Sequence, residues 1–158
     1  MTDIETSQSR IPWPPILYLT AIAISVGLGL LLPLPWISRP LSDILFAAGG
    51  LVILAAIGLY VSAISSMRRA GTTVRPDQPA THLVTTGAFG LTRNPIYLAN
   101  TLVMAGIGLL AGNIWFLILA FLASAATKKL AIEGEEKYLE THFGKKYRDY
   151  AKKVRRWL

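Results

Sequence analysis

Two groups of polar side chains bracket the longest uncharged stretch of this 158-residue chain. Arg93-Asn94-Pro95-Ile96-Tyr97 opens it, and Glu133, Glu135, Glu136 and Glu140 follow Lys128 and Lys129 beyond its end. Such a set puts hydrogen-bonding groups at one mouth and carboxylates at the other, chemistry suited to holding a polar ligand and moving a proton. Between them Asn94 to Thr127, thirty-four residues, carry no charge. As one helix they would reach about 51 Å at ~1.5 Å per residue, against a hydrocarbon core of ~30 Å, so the segment must fold back. Gly112-Asn113 is the turn this predicts. Pro95–Ala111 is then one arm and Ile114 to about Leu130 the other, and both polar mouths return to the same membrane face.

The elements that must position these groups are membrane helices. Ile11–Ser38 and Ile44–Met67 are also uncharged and long enough to span, in a chain that is 53% hydrophobic. The sequence therefore predicts an all-α polytopic membrane protein with four transmembrane helices, at about 14–36, 44–67, 95–111 and 114–130. The last two form the helical hairpin. A cytoplasmic loop over 68–94 and a cytoplasmic tail over 131–158, the latter an amphipathic helix, complete one membrane domain with no room for a separate soluble one. The first apolar stretch is too long for a cleaved signal peptide and lacks a small-residue cleavage pattern; Pro33, Pro35 and Pro40 mark its exit.

The net charge of +7 reads as topology. Of 16 Lys and Arg, Arg68, Arg69, Arg75 and Arg93 lie between the second and third spans and ten follow Thr127. The other two connections hold only Arg39, which Asp43 balances. The positive-inside rule then places the loop, the tail and both termini in the cytoplasm, the basic tail being held against anionic lipid. Nucleic acid is not an expected partner, because no stacking platform interleaves with the basic residues. Cysteine is absent and the two histidines lie sixty residues apart, so no metal site is expected. Neither a Walker loop nor a Ser-His-Asp set is available.

Each polar element also has a plain structural reading. The loop from Ala70 to Arg93 is rich in Gly, Pro and Thr, as a solvated connector would be, but a connector has no need of Leu83, Val84 and Phe89 interleaved with Gly87 and Gly90. A folded cap over a pocket fits that pattern better. Asn94 and Pro95 suit the N-cap and first turn of a helix. Tyr97 and Thr101 follow at helical spacing beside Gly106 and Gly108, which serve helix packing first. Glu133 with Lys137 is a possible i,i+4 pair on a solvated face, although four acids are out of place on so basic a side. Leu139, Phe143, Tyr147, Tyr150 and Val154 recur at three- or four-residue spacing, with Gly144 a bend, so the tail can lie on the membrane or over the hairpin.

These residues carry a resemblance. The order Leu83-Val84-Thr85-x-Gly87-x-Phe89, Arg93-Asn94-Pro95-x-Tyr97-Leu98, an apolar hairpin, then Glu135-Glu136-x-x-Leu139-x-x-x-Phe143-Gly144-x-x-Tyr147-x-x-Tyr150 resembles the isoprenylcysteine carboxyl methyltransferase family and its phospholipid methyltransferase relatives. It covers roughly residues 70–158. The resemblance implies S-adenosylmethionine as cofactor, bound on the cytoplasmic side. It puts Thr81, His82, Leu83 and Val84 on the cofactor as a backbone-rich strip, with Gly87 and Phe89 nearby. It sets Asn94, Pro95, Ile96 and Tyr97 on an Arg-His-Pro-x-Tyr element and Glu135 on the acid that holds the methionine ammonium. Gly106 and Gly108 match a Gly-x-Gly near the cofactor. Asn94, Tyr97 and Glu136 are the catalytic candidates. Two departures stand out: Asn94 replaces the usual His, and Ala131 stands where prenylcysteine-methylating members have an arginine for the substrate carboxylate.

Methyl transfer from a sulfonium is an in-line displacement, so the protein has to align the reactants and exclude water. An amine acceptor must first lose a proton, which Glu133 or Glu136 could take. The expected partners are a hydrophobic or lipid substrate entering sideways from the bilayer and the membrane lipids themselves, in a bacterial inner membrane. A small four-span transporter is the competing reading, but it would need a charged residue inside a span, and the four spans have none short of Lys128 and Lys129 at the cytoplasmic end of the last. A nicotinamide-dependent reductase of similar architecture is a second.

Overall fold

The computed structural model describes residues 12–72 and 80–158; Arg10, Arg75 and the part of the predicted loop over 73–79 lie outside them. Every regular element among the described residues is helical. Helix α1 (Trp13–Leu31) begins with Pro14 and Pro15, whose missing N–H groups cost nothing in a first turn, and it stops two residues before Pro33. The segment expected to span over 14–36 is thus helical only to Leu31. Helix α2 (Leu41–Arg69) has Asp43 in its first turn and Arg68 and Arg69 in its last, each charge complementing the helix dipole. Helices α1, α2 and the rod Ile114–Phe143 are long and apolar enough to cross a membrane; α3 (Pro95–Ala111) is a shorter apolar helix.

Between α3 and α4 (Ile114–Thr127) the chain reverses through Gly112 and Asn113. Gly112 takes φ 62°, a left-handed conformation that ends a helix readily only without a Cβ, and its Cβ position is also filled by the Trp36 indole. Asn113 caps α4 by accepting from the Trp115 N–H at 3.0 Å, and its amide donates to the Ser25 carbonyl of α1 at 3.3 Å.

Helix α4 runs through a π-helical stretch, Lys128–Ile132, into α5 (Glu133–Phe143). The Glu133 N–H bonds the Lys128 carbonyl five residues back, a register change of the kind that often sits beside functional groups. At Gly144 (φ 53°) the chain bends into α6 (Lys145–Lys153), and Val154 is extended.

Helix α2 packs on α3, α3 on α4 and α4 on α1, while α1 and α2 scarcely touch. A cleft therefore separates α1 from α2 with α3 behind it. Tyr18, Ala21, Met104, Phe116, Ala120 and Ala123 form the buried core between α1, α3 and α4, where the alanines let the backbones approach. Outward-facing Leu30, Leu51, Leu54 and Phe121 are exposed, as lipid-facing positions are.

On α2 the buried residues Gly49, Ala56 and Ala63 recur every seven positions, a small-residue stripe against α3. A Cβ on Gly49 would lie 2.9 Å from the Gly106 carbonyl and 3.1 Å from the Leu110 nitrogen, backbone atoms that cannot swing aside. A Cβ on Gly50 would meet nothing within 4 Å. Gly49→Ala is accordingly expected to destabilise the protein by roughly 1–3 kcal/mol and Gly50→Ala to be neutral or slightly stabilising. Thermal unfolding of both variants in detergent checks this, and equal midpoints would show that α2 and α3 are not in this contact.

Candidate functional site

A cavity of about 520 Å³ runs from the polar ends of α3 and α5 to the cleft between α1 and α2. Its apolar end is bounded by Leu19 and Ile22 of α1, Tyr60 of α2, and Val103 and Met104 of α3. The polar end is built from four pieces of chain. The first is the loop His82-Leu83-Val84 and the second is the 3₁₀ turn Gly87–Gly90, which supplies Phe89. The third is Asn94 to Tyr97 at the start of α3, and the fourth is Glu135 on α5. Tyr147 and Tyr150 of α6 close the same wall.

At the centre the Tyr97 hydroxyl donates to Glu135 Oε1 at 2.5 Å, joining the two mouths of the uncharged hairpin. The hydroxyls of Tyr18 and Thr101 hydrogen-bond each other at 2.5 Å, and the Tyr97 carbonyl, within reach of both at 3.2 Å and 2.9 Å, accepts from the one whose proton is free. These bonds place Tyr97 on α1 as well as on its own helix. Among the described residues no cation pairs with Glu135. The carboxyl lies past Leu130, beyond the predicted extent of the span, and burial pushes it up to about 7; the charge of Glu136 adds to the rise and the Tyr97 hydrogen bond opposes it. A cationic ligand group would reverse the effect of burial and hold Glu135 ionised.

Glu136, its neighbour, has the opposite surroundings. Arg156 holds it bidentately, Nε to Oε1 at 2.9 Å and Nη2 to Oε2 at 2.6 Å, and Arg93 Nη2 lies 3.4 Å from Oε1. Its side chain is only 16% exposed and lies between two guanidinium groups. Glu136, expected as a catalytic residue, lines the cavity with both its oxygens engaged in these ion pairs. Glu133 does not line the cavity.

Asn94 is buried, but its side chain does not cap α3 as its position predicts. Its Nδ2 instead donates to the Arg156 carbonyl at 3.0 Å, and its N–H donates to Thr92 Oγ1 at 3.2 Å. Pro95 does occupy the first turn.

Four expected cofactor contacts are not at the cavity. The N–H of Thr81 donates to Thr72 Oγ1 (3.1 Å) and its hydroxyl to the Gly71 carbonyl (3.3 Å), so Thr81 ties the loop to the end of α2. Gly87 (φ 62°) presses on α2, where a Cβ would sit 2.3 Å from Ser66 Oγ, and the next N–H donates to Ser62 Oγ at 3.1 Å. Gly106 meets Ile53 and Gly49 of α2, and Gly108 meets Phe116 and Leu117 of α4. Close helix packing, the first reading of this glycine pair, is what excludes a side chain at both positions.

Residues from α1 and α2, together with Tyr147 and Tyr150, complete the walls without having been singled out as site residues. The three- and four-residue spacing of the tail's aromatic residues marks the buried face of α6, but nothing local says what that face covers. Burial raises the phenols of both Tyr147 and Tyr150.

Residues 44–146 match the family model described as phospholipid methyltransferase. The chain belongs to this family. An uncharacterized protein of Haemophilus influenzae is 38% identical over 65 residues, which are 40% of this chain and the whole of that protein. No solved structure gives a significant match. Family and apolar helices together make the chain an integral membrane protein of the methyltransferase class.

Proposed function

We propose that this chain transfers a methyl group from S-adenosylmethionine to a lipidic or hydrophobic acceptor at the cytoplasmic membrane face. The observation that carries the reading is Glu135: a carboxyl with no cation among the described residues, set on a cavity that joins a polar mouth to an apolar cleft between two membrane helices. The residues present fit the cofactor. Glu135 offers a second carboxylate oxygen to an ammonium, His82, Leu83 and Val84 offer main-chain groups, and Phe89, Tyr147 and Tyr150 offer aromatic surface. S-adenosylmethionine supplies an electrophilic methyl on a sulfonium.

The chain's own part is to bind, align and dry the site. Glu135 fixes the ammonium end of the cofactor, and Tyr97 holds Glu135 to α3. The cleft between α1 and α2 admits an acyl or prenyl chain from the bilayer, with Leu19, Ile22, Tyr60, Val103 and Met104 excluding water around it. Because Glu136 is paired and Glu135 faces the cofactor, no second free carboxylate lines the cavity among the described residues, so an amine acceptor reacts here as its free base. In this reading α1, α2, α3 and α4 are four spans. Helix α3, about 25 Å long, crosses with α4 as a hairpin, the basic loop and tail keep both termini cytoplasmic, and α6 lies as an amphipathic helix at that face.

A ligand that binds only the folded state raises its stability by about 2.7 kcal/mol at 100 times its dissociation constant. S-adenosylmethionine or its demethylated product is therefore expected to raise the melting temperature of the detergent-solubilised protein by several degrees. No shift at saturating cofactor, with a shift on adding NADPH, would replace methyl transfer with the reductase reading.

A further inference from the structure

The family match ends at residue 146, yet the chain beyond it folds back onto the cavity wall. Its last turns contact three consecutive residues that precede α3. The Arg93 N–H donates to the Arg155 carbonyl at 2.9 Å, and the Arg156 carbonyl accepts from both Thr92 Oγ1 and Asn94 Nδ2 at 3.0 Å. Upstream, the Tyr150 hydroxyl donates to the Phe89 carbonyl at 2.7 Å and Arg93 Nη1 donates to the Tyr147 hydroxyl at 3.3 Å. Thr92 and Asn94 are buried, so without the Arg156 carbonyl their polar groups would lose a partner where water does not replace it.

The same residue reaches the other side of the site, because the Arg156 guanidinium grips Glu136, the neighbour of Glu135 on α5. Arg156 thus spans the two elements whose side chains meet in the bond between Tyr97 and Glu135. A planar, bidentate contact from a guanidinium fixes orientation in a way that a single ammonium does not.

We propose that Arg156 is a positioning residue and that Tyr147–Arg156 forms a clasp ordering the cavity wall from Phe89 to Tyr97. The clasp touches neither acceptor nor reacting atoms. It acts by holding Asn94 and the start of α3 against α5, so that Tyr97 and Glu135 meet in one geometry. Its effect on cofactor binding rests on the methyl-transfer reading, whereas its ordering of the wall does not.

Full-length protein in detergent tests both. Hydrogen exchange over residues 88–94 is expected to be roughly tenfold faster in Arg156→Ala, with α2 unchanged, since without the guanidinium's grip on Glu136 the tail, and with it the main-chain carbonyls that anchor Thr92, Arg93 and Asn94, can lift away locally. Affinity for S-adenosylmethionine, measured by calorimetry well below the melting temperature, should fall by a similar factor. Arg156→Lys should lie between wild type and Arg156→Ala on both readouts. Arg148→Ala, which removes an exposed and long ion pair to Glu140, should change neither. Should Arg156→Ala fail to fold, Arg156→Lys carries the same comparison. Wild-type exchange over 88–94 in the variants overturns the clasp, as does faster exchange with undiminished affinity in a protein that binds the cofactor. If the wild-type protein binds no S-adenosylmethionine, the methyl-transfer reading fails while the exchange rates still decide the clasp.

Discussion

Glu135→Gln is expected to weaken S-adenosylmethionine binding by roughly ten- to one-hundred-and-fifty-fold, the equivalent of a charge-assisted hydrogen bond of ~1.5–3 kcal/mol. The substitution keeps the shape of the side chain and an acceptor for the Tyr97 hydroxyl, so folding is retained. Glu140→Gln, on the same helix but exposed, is the control and should bind as wild type. The pH profile gives a second readout. Burial raises the Glu135 carboxyl to about 7 in the free protein, and an ammonium ligand requires the ionised form. Affinity should then be highest above pH 7 and fall as pH drops through it, by about tenfold between pH 8 and pH 6, with a proton released on binding. In Glu135→Gln that dependence should vanish. Calorimetry at several pH values in buffers of different ionisation heat measures both the constant and the proton. A parallel slope in wild type and variant would assign the titration elsewhere and remove Glu135 from the ammonium site.

The second large effect concerns the acceptor. A carboxylate taken into a poorly hydrated site needs a cation, and a bidentate guanidinium serves best. Ala131 supplies none, Lys128 and Lys129 do not line the cavity, and Arg93 is engaged with Glu136 and Tyr147. The purified protein should therefore methylate a farnesylated cysteine analogue at a rate roughly ten- to a hundredfold below that of a lipid amine or another uncharged nucleophile on an apolar tail, an unpaired buried charge costing a few kcal/mol. Labelled methyl should pass into the organic phase when the protein is incubated with its own membrane lipids and survive mild base. Efficient formation of base-labile label on the farnesyl analogue would reverse this order and show that a lysine or Arg93 is freed to clamp the carboxylate.

Much of the architecture follows from local chemistry. An uncharged run longer than a bilayer is thick has to turn, and Gly112 with Asn113 offers the left-handed conformation and the N-cap that a turn between helices requires. Prolines at 14 and 15, and the proline at 33, begin and end α1 by what they lack. The bracketing of the hairpin by Tyr97 and Glu135 is equally visible, since a chain that reverses must bring its two polar ends back to one face.

What the sequence could not decide is which of two adjacent carboxylates does what. Glu135 and Glu136 lie about 100° apart around a helix, and a π-helical stretch just before them shifts the register by which a face would be read. Both line the cavity, and only the packed structure gives Glu135 to Tyr97 and Glu136 to an arginine twenty residues on. The same holds for Asn94, whose amide leaves its own helix end for the Arg156 carbonyl, and for Gly106, which serves α2 rather than a ligand. Length, charge and turn chemistry act through neighbours along the chain, so the sequence alone determined the helices, their reversal and the side on which the polar groups gather. The partner of each buried polar group is set by segments distant in the chain, and that choice was made only when the tail folded back over the start of α3.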